Sequence, residues 1–205
     1  MKIIDISMEV KGGMLAYPGN PAPKLERYSS VPKNKTNETL LSFGSHAGTH
    51  MDAELHVKKG GKSALAVPLE SCYGKCRVLD LTKAGKEIRK EHLEKFGIRR
   101  GEIILLKTEN SLKGYDKFRE DFAHIKESAA RHLADKGVKA IGFDYLSVQK
   151  FNSDEDEVHR LLAGNMVVFE GLNLKDAEEG EYVFAGFPLK INCDGAPVRA
   201  ALIKE

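Results

Sequence analysis

The chain has 205 residues, which suits one substantial domain with its own hydrophobic core. Its 32 basic and 30 acidic side chains nearly cancel to a net charge of +2, so the composition gives no sign of a nucleic-acid partner. No apolar run approaches the ~20 residues needed to cross a bilayer, so we expect a soluble protein without a membrane partner.

Seven segments are predicted as strands because they are short, rich in β-branched or aromatic residues, and bounded by Gly, Asn or Pro. In chain order they are Lys2–Ser7, Arg77–Leu81, Glu102–Lys107, Lys139–Asp144, Met166–Phe169, Tyr182–Phe187 and Val198–Ile203. Three helices are predicted from 3.6-residue periodicity and glycine stops. They are Lys86–Phe96, Asp121–Lys136 and Asp154–Ala163.

The order of these elements predicts the fold class. Strands outnumber helices, and only residues 102–169 follow a strand–helix–strand pattern. A regular doubly wound fold requires strict alternation, so we expect an α/β protein with a mixed sheet and flanking helices. No repeat, low-complexity tract or long linker divides the chain, and we interpret residues 1–205 as a single domain.

The cysteines and the first residues bear on the compartment. Cys72, Cys76 and Cys193 are an odd number and lack the second pair of a zinc finger, so we expect free thiols. The opening sequence MKIIDISMEV has the pattern of a strand rather than of a signal peptide. Both observations favour a reducing, cytoplasmic location.

The segment SHAGTHMDAELHV, residues 45–57, concentrates three of the seven histidines and an aspartate. Imidazoles with a carboxylate are a ligand set that suits zinc or manganese. The alternative is a polar loop whose histidines bond to the backbone. The other helical histidines, His92, His124 and His132, show no such pattern and are interpreted as ordinary structural residues.

Spacing sets a condition on the metal hypothesis. Residues four apart in a straight strand are separated by ~13 Å, so His46 and His50 could bind one ion only if the backbone bends between them. Gly48 lies midway, and glycine tolerates the dihedral angles of a tight bend. In an extended segment, Asp52 points to the same side as His50. His56 lies farther along and is free for acid–base chemistry.

The motif H-A-G-T-H-M-D-x-x-x-H, residues 46–56, resembles the signature of the cyclase-like metal-dependent hydrolases, a family that includes arylformamidases (kynurenine formamidases) and isatin hydrolases. Other segments of the resemblance occur in the expected order along most of the chain. They are Asp5-Ile-Ser7, Tyr17-Pro18-Gly19, Gly142-Phe-Asp144, His159-Arg-Leu-Leu162, Glu170-Gly-Leu-Asn-Leu174, Pro188-Leu189 and Gly195-Ala-Pro197-Val-Arg199.

The resemblance implies a cyclase-like fold, usually as a homo-oligomer (dimer or tetramer), and a role for each matching residue. His46, His50 and Asp52 would be metal ligands, with Asp52 able to bridge two ions. His56 would be the catalytic acid/base, His159 and Glu170 would complete the site of two-zinc members, and Tyr17 would contact substrate. The cofactor is expected to be one or two Zn²⁺ ions, with Mn²⁺ as the alternative.

Physical arguments support the later pair. His159 lies between Val158 and the apolar pair Leu161-Leu162, which places it near the buried side of its predicted helix. Glu170 directly follows an apolar run, where a carboxylate needs a cation or hydrogen bonds. The helix and the short strand after it could return both side chains to one end of the sheet.

Two departures from the family pattern bear on the substrate. Glu54 stands where many members have proline, and the chain has no Trp, although the aromatic residue near Pro-Gly is commonly Trp in arylformamidases. Both departures leave the metal chemistry intact but question a kynurenine-type substrate.

The ligand set predicts a reaction class. A metal can lower the pKa of a bound water towards ~7, and His56 can supply the proton that an amide leaving group requires. Although Ser42 and Ser45 lie nearby, no G-x-S-x-G motif indicates a serine nucleophile. We therefore expect an amidohydrolase for a small substrate, an N-formyl arylamine such as N-formylkynurenine or a cyclic amide. The alternative is a metal-containing binding protein without turnover.

Overall fold

The computed structural model describes residues 1–153 and 157–204. The strands are β1 (Lys2–Asp5), β2 (Lys24–Ser29), β3 (Glu38–Ser42), β4 (His50–Asp52), β5 (Tyr73–Asp80), β6 (Glu87–Ile88), β7 (Ile103–Lys107), β8 (His124–Ile125), β9 (Ala140–Phe143), β10 (Val167–Glu170), β11 (Gly180–Pro188) and β12 (Gly195–Lys204). The α-helices are α1 (Glu54–Val57), α2 (Lys90–Glu94), α3 (Asn110–Lys113), α4 (Glu127–Asp135) and α5 (Glu157–Ala163), and Ala64–Ala66 and Leu69–Ser71 form 3₁₀ turns.

Eight strands form the main sheet in the order β1-β12-β11-β5-β7-β9-β10-β4. The pairs from β5 through β7 and β9 to β10 are parallel, and the remaining pairs are antiparallel. Strand β4 pairs with both β10 and β12, so it closes the sheet on itself. The mixed α/β sheet that the sequence predicts is confirmed.

The closed sheet separates two apolar cores. Side chains alternate across a strand, so neighbouring residues face opposite sides. Met51, Phe169 and Phe184 pack together in one core, whereas Ile104, Ile141 and Val168 pack with helices α2, α4 and α5 in the other. His50, Asp52 and Glu170 alternate with Met51 and Phe169, and they therefore lie on the side of the sheet that carries the helices.

All seven predicted strands are confirmed as β1, β5, β7, β9, β10, β11 and β12, with shifted ends. Five strands were not predicted from the sequence. The hairpin β2–β3 stands apart from the main sheet, β6 and β8 form a two-residue pairing, and β4 has only three residues. Such short segments carry too little periodicity to be recognised.

Two predicted helices are wrong at their amino-terminal ends. Within Lys86–Phe96 and Asp121–Lys136, the first residues form β6 and β8, and the helices begin only at Lys90 and Glu127. Ile88 and Ile125 are buried by this pairing. An apolar side chain at these positions reaches the core in a helix or in a strand, so the spacing of apolar residues does not distinguish the two conformations. Of the predicted helix Asp154–Ala163, residues 157–163 are helical, and residues 154–156 lie outside the described residues.

The cysteines are free thiols, as expected. Burial raises the pKa of Cys72 to about 11 and that of Cys76 to about 12, so both stay protonated near neutral pH. In the described part of the chain, none of the helices has the length and apolar character to span a membrane.

Candidate active site

The bend predicted at Gly48 is present. Gly48 has φ +63°, a conformation that side chains with a Cβ rarely adopt, and a Cβ there would lie 3.2 Å from the side chain of Met14. Next to it, the Thr49 hydroxyl donates to the carbonyl oxygen of Gly171 at 2.6 Å and accepts from the backbone N–H of Met8 at 2.8 Å. The bend brings the rings of His46 and His50 to a centroid separation of 4.9 Å.

Strand pairing brings Glu170 to the same place. In the antiparallel register of β4 and β10, Glu170 lies opposite His50, and Val168 lies opposite Asp52. Nε2 of His50 is 3.4 Å from Oε2 of Glu170 and 3.4 Å from Oδ1 of Asp52. The prediction that Asp52 and His50 share one face is therefore confirmed, and their carboxylate neighbour comes from 120 residues later in the chain.

Asp52 lies between the imidazoles. Its Oδ1 is 2.8 Å from Nδ1 of His46, and its Oδ2 is 3.8 Å from Nε2 of His159. The same nitrogen of His159 is 3.2 Å from Oε1 of Glu170. The two oxygens of Asp52 thus face different histidines, which is the arrangement that a carboxylate between two cations requires.

Two groups of potential ligand atoms meet at this carboxylate. One comprises His46, Asp52 and His56, and the other comprises His50, Asp52 and Glu170, with the atoms of each group within 4.8 Å of one another. The structure therefore brings together the residues predicted as metal ligands. His56 lies close enough to ligate as well as to exchange protons, with its ring centroid 4.2 Å from that of His46.

Unpaired polar atoms test whether a metal fits here. Nε2 of His50 and both oxygens of Asp52 are buried and have no partner with full hydrogen-bond geometry within the described residues, although Oδ1 of Asp52 lies 2.8 Å from Nδ1 of His46 and 3.4 Å from Nε2 of His50. Nδ1 of His50 donates to the carbonyl oxygen of Gly48 at 2.9 Å, so Nε2 is the ring nitrogen that faces the carboxylates. Buried polar atoms normally have partners, and a ligating histidine normally donates its other N–H. The donor set fits a metal.

The pKa directions describe the same site. Burial disfavours charge on the His50 imidazole, but the adjacent carboxylates of Asp52 and Glu170 raise its pKa to about 10. Burial likewise opposes ionisation of Asp52, yet His46 and His50 hold its pKa well below the usual range. Without a metal, imidazolium protons therefore balance the buried carboxylates. A cation bound to the same atoms would replace those protons.

A cavity of about 330 Å³ opens above these residues. Tyr17, His56 and His159 line it, together with Asn20, His46, His50, Leu146, Ser147, Gln149, Lys150, Asn152, Ser153 and Glu170. The ring of Tyr17 packs edge-on against Phe118 and Phe151, with centroids 5.5 and 5.7 Å away. Tyr17 thus lines the cavity and is backed by two further aromatic rings. Glu54, which stands where many family members have proline, is partly exposed and pairs with Lys58 at 2.7 Å.

Asp194 is a site residue that the sequence analysis missed. One of its oxygens, Oδ2, is 2.7 Å from Nε2 of His46 and 3.4 Å from Nδ1 of His56. Partial burial would raise its pKa, but His46 and Ser45 lower it to about 2. The one available signal was its position directly before Gly195-Ala-Pro197-Val-Arg199, a segment that the family resemblance includes.

Comparisons with known proteins agree with this geometry. The family model described as Putative cyclase matches residues 4–150. A kynurenine formamidase from Salinibacter ruber is 34% identical over 98% of this chain and 97% of its own length. A solved structure of a potential metal-dependent hydrolase with cyclase activity has a TM-score of 0.88 at 33% identity, over 100% of this chain and 98% of that one.

A more distant structure shares the fold. Isatin hydrolase A from Labrenzia aggregata has a TM-score of 0.84 at 21% identity, covering 100% of this chain and 94% of its own. The family resemblance predicted from the histidine motif is confirmed, as is the prediction of a cyclase-like fold. The chain belongs to the cyclase family of metal-dependent hydrolases.

Proposed function

We propose that the protein hydrolyses an amide bond of a small substrate, an N-formyl arylamine such as N-formylkynurenine or a cyclic amide, at a metal centre. The observation that carries the proposal is the shared carboxylate of Asp52, whose buried and unpaired oxygens face imidazoles on both sides below a cavity. The names of the relatives, kynurenine formamidase and isatin hydrolase, support amide hydrolysis as the reaction class.

The proposed ligands are His46, His50, Asp52, His159 and Glu170. His46, His50 and Asp52 would hold one ion, and His159 and Glu170 would complete a second position that shares Asp52, with Glu170 also 3.4 Å from Nε2 of His50. Zinc is the proposed metal, and manganese is the alternative because imidazole and carboxylate ligands accept both. When bound, the metal supplies an activated water and polarises the substrate carbonyl.

The residues of the chain would perform the other tasks. Tyr17, packed edge-on against Phe118 and Phe151, would offer an aromatic contact to an aryl group in the cavity. His56, with its side chain 32% exposed at the edge of the cavity, would deliver a proton to the departing amine. An amide nitrogen is a very poor leaving group without that proton. Burial of His50 and Asp52 keeps bulk water away from the ligand atoms.

The experiment combines metal analysis with a substrate screen. The purified protein is stripped by a chelator and reloaded with zinc or manganese, and its metal content is measured. Turnover of N-formylkynurenine, isatin and a small lactone is then followed. We expect amide hydrolysis only in the loaded protein. A loaded protein that turns over none of the three would instead support the alternative, a metal-containing binding protein of the same fold.

His56→Ala is the variant that tests whether His56 acts as the proton carrier or as a metal ligand. If His56 carries the proton, the variant keeps its metal and loses turnover by roughly 100- to 10,000-fold. Unchanged turnover in the metal-loaded variant would show that another group moves the proton. Loss of metal would make His56 a ligand, which its distance from Asp52 and His46 permits.

The assembly and location are also proposals. We propose a homo-oligomer, a dimer or tetramer, because the separate hairpin β2–β3 exposes Leu25, Tyr28, Leu40 and Leu41. Exposed apolar side chains in a group mark protein interfaces. The free cysteines support a reducing, cytoplasmic location.

A further inference from the structure

Asp194 reaches the site because β12 runs unusually close to the histidine motif. Gly195, the first residue of β12, lies opposite Asp52 in the register with β4. A Cβ on Gly195 would lie 2.7 Å from Cε1 of His46 and 2.9 Å from the carbonyl oxygen of Met51. Only glycine permits this approach. The carbonyl oxygen of Asp194 accepts from the backbone N–H of Ala53 at 2.9 Å, which anchors the residue before the strand.

The Asp194 carboxylate contacts two functional histidines at once. Oδ2 accepts from Nε2 of His46 at 2.7 Å and from Nδ1 of His56 at 3.4 Å. The other oxygen, Oδ1, accepts from the Ser45 hydroxyl at 3.0 Å, which fixes the orientation of the carboxylate. The two aspartates contact different nitrogens of the His46 ring: Asp52 lies at Nδ1 and Asp194 lies at Nε2.

We propose that Asp194 is a positioning residue that couples a metal ligand to the acid/base. By accepting the Nε2–H of His46, it directs the lone pair of Nδ1 towards Asp52 and the proposed metal. By accepting the Nδ1–H of His56, it leaves Nε2 of that ring available to exchange a proton with substrate. The second part rests on the proposed function, whereas the first part concerns metal binding alone.

General chemistry explains why one carboxylate would serve both rings. A carboxylate bonded to the outer N–H of a ligating histidine fixes its tautomer and raises its basicity, and loss of such a partner typically weakens metal binding by about 10- to 100-fold. A carboxylate behind an acid/base histidine likewise selects the tautomer and orientation that the proton transfer needs. In this chain both effects would follow from the single atom Oδ2.

The first test measures zinc affinity by competition with a chelator and requires no substrate. Asp194→Ala should bind zinc about 10- to 100-fold more weakly than the wild type. Asp194→Asn should recover much of the loss, because its amide oxygen can still accept the N–H of His46. Asp176→Ala, which removes an exposed aspartate outside the site, is the matched control. Zinc affinity in Asp194→Ala within twofold of the wild type would overturn the proposal.

The second test is a double-mutant cycle with His56→Ala at saturating metal. Asp194→Ala alone should lower kcat by at least tenfold with little change in KM, because it misplaces the proton carrier rather than the substrate. In the His56→Ala background, the same substitution should lower the residual kcat by less than threefold. A full loss in that background would show that Asp194 does not act through His56, and would overturn this part.

The outcomes remain separable from failure of the proposed function. A wild type that hydrolyses no amide would remove the proposed reaction, yet the zinc measurements would still test the contact with His46. The Asp194 side chain is 41% exposed, so its truncation leaves no large cavity. Should Asp194→Ala not fold, Asp194→Ser repeats both measurements, since the shorter hydroxyl cannot span the distance to either ring.

Discussion

Two buried carboxylates of this chain, those of Asp144 and Asp52, have opposite surroundings. Asp144 follows strand β9 and has no exposed surface. Its oxygens accept from the backbone N–H and hydroxyl of Thr108, both at 2.7 Å, and from the N–H and hydroxyl of Ser111 at 3.1 and 2.6 Å. Asp144 is thus saturated by neutral donors that fix the turn into helix α3.

Asp52 is equally buried, at 1% exposure, but its neighbours are imidazoles. Its oxygens have no neutral donor within the described residues, and the groups beside Oδ1 are the ring nitrogens of His46 and His50, at 2.8 and 3.4 Å. Burial raises the pKa of Asp144 despite the four hydrogen bonds, whereas His46 and His50 hold the pKa of Asp52 far below its usual range against the same burial effect. Asp52 is kept charged by groups that can exchange their protons for a metal.

The comparison shows how a structural carboxylate differs from a ligand carboxylate. Burial alone does not separate them, and neither does sequence context, since both follow or form a strand. The difference lies in whether neutral donors consume the lone pairs. A carboxylate whose lone pairs all accept hydrogen bonds cannot also bind a cation. A buried carboxylate among imidazoles still has lone pairs for a cation, and leaving them unpaired costs desolvation free energy.

The largest effect is expected when Asp52 can no longer bind a cation. Asp52→Asn should bind metal poorly at both proposed positions and lose at least about 1,000-fold in turnover, because a catalytic metal supplies several kcal/mol. The measurements are metal content per chain and kcat/KM after reloading. Asp176→Asn, a change of the same type on the surface, should keep both. Full metal occupancy in Asp52→Asn would show that the oxygens of Asp52 are not ligands.

The second prediction concerns substitution of Asp144, whose carboxylate accepts four hydrogen bonds. Asp144→Ala should lower the free energy of unfolding by about 3–5 kcal/mol, because it strands buried donors of Thr108 and Ser111. Asp144→Asn, which retains one acceptor, should lose about 1–3 kcal/mol and serves as the variant that folds. Urea unfolding measures both.

Addition of metal supplies the control for Asp144. Zinc should stabilise Asp144→Asn by the same increment as the wild type, since ligand binding to the native state adds a term that depends on the affinity alone. A reduced increment would mean that Asp144 supports the metal site, and that the contrast between the two carboxylates does not hold.

The local part of the site could be predicted from the sequence. His46, His50 and Asp52 lie within seven residues, so strand alternation and one glycine bend determine which side chains meet. His159 and Glu170 required the family resemblance. Their convergence depends on the pairing of β10 with β4, and no local pattern encodes it. Asp194 was missed for the same reason, since its contact with His46 spans 148 residues and depends on β12.

The fold shows the same limit. Long apolar strands such as β7 were predicted because four of its five residues are buried on both sides of the sheet. The closure of the sheet was not predicted, because it depends on β4, a strand of only three residues. In the same way, residues predicted at the start of two helices form β6 and β8 instead. The pairing of Ile88 with Ile125 buries both side chains as completely as a helix would.

The smallest expected effect distinguishes the two sides of Asp52. His159 faces its Oδ2 and contacts Glu170, whereas His46 and His50 face Oδ1, so the two sides should be separable by substitution. Glu170→Gln and His159→Ala should each lower the zinc content from two ions per chain to one, because an imidazole or a carboxylate oxygen is lost from one position only. The measurement is zinc per chain after dialysis at saturating metal, with Glu181→Gln as a surface control. Some activity should remain, because the ligands His46, His50 and Asp52 are intact. A wild type that holds a single ion under the same conditions would refute the second position, and Asp52 would then be a terminal ligand rather than a bridge.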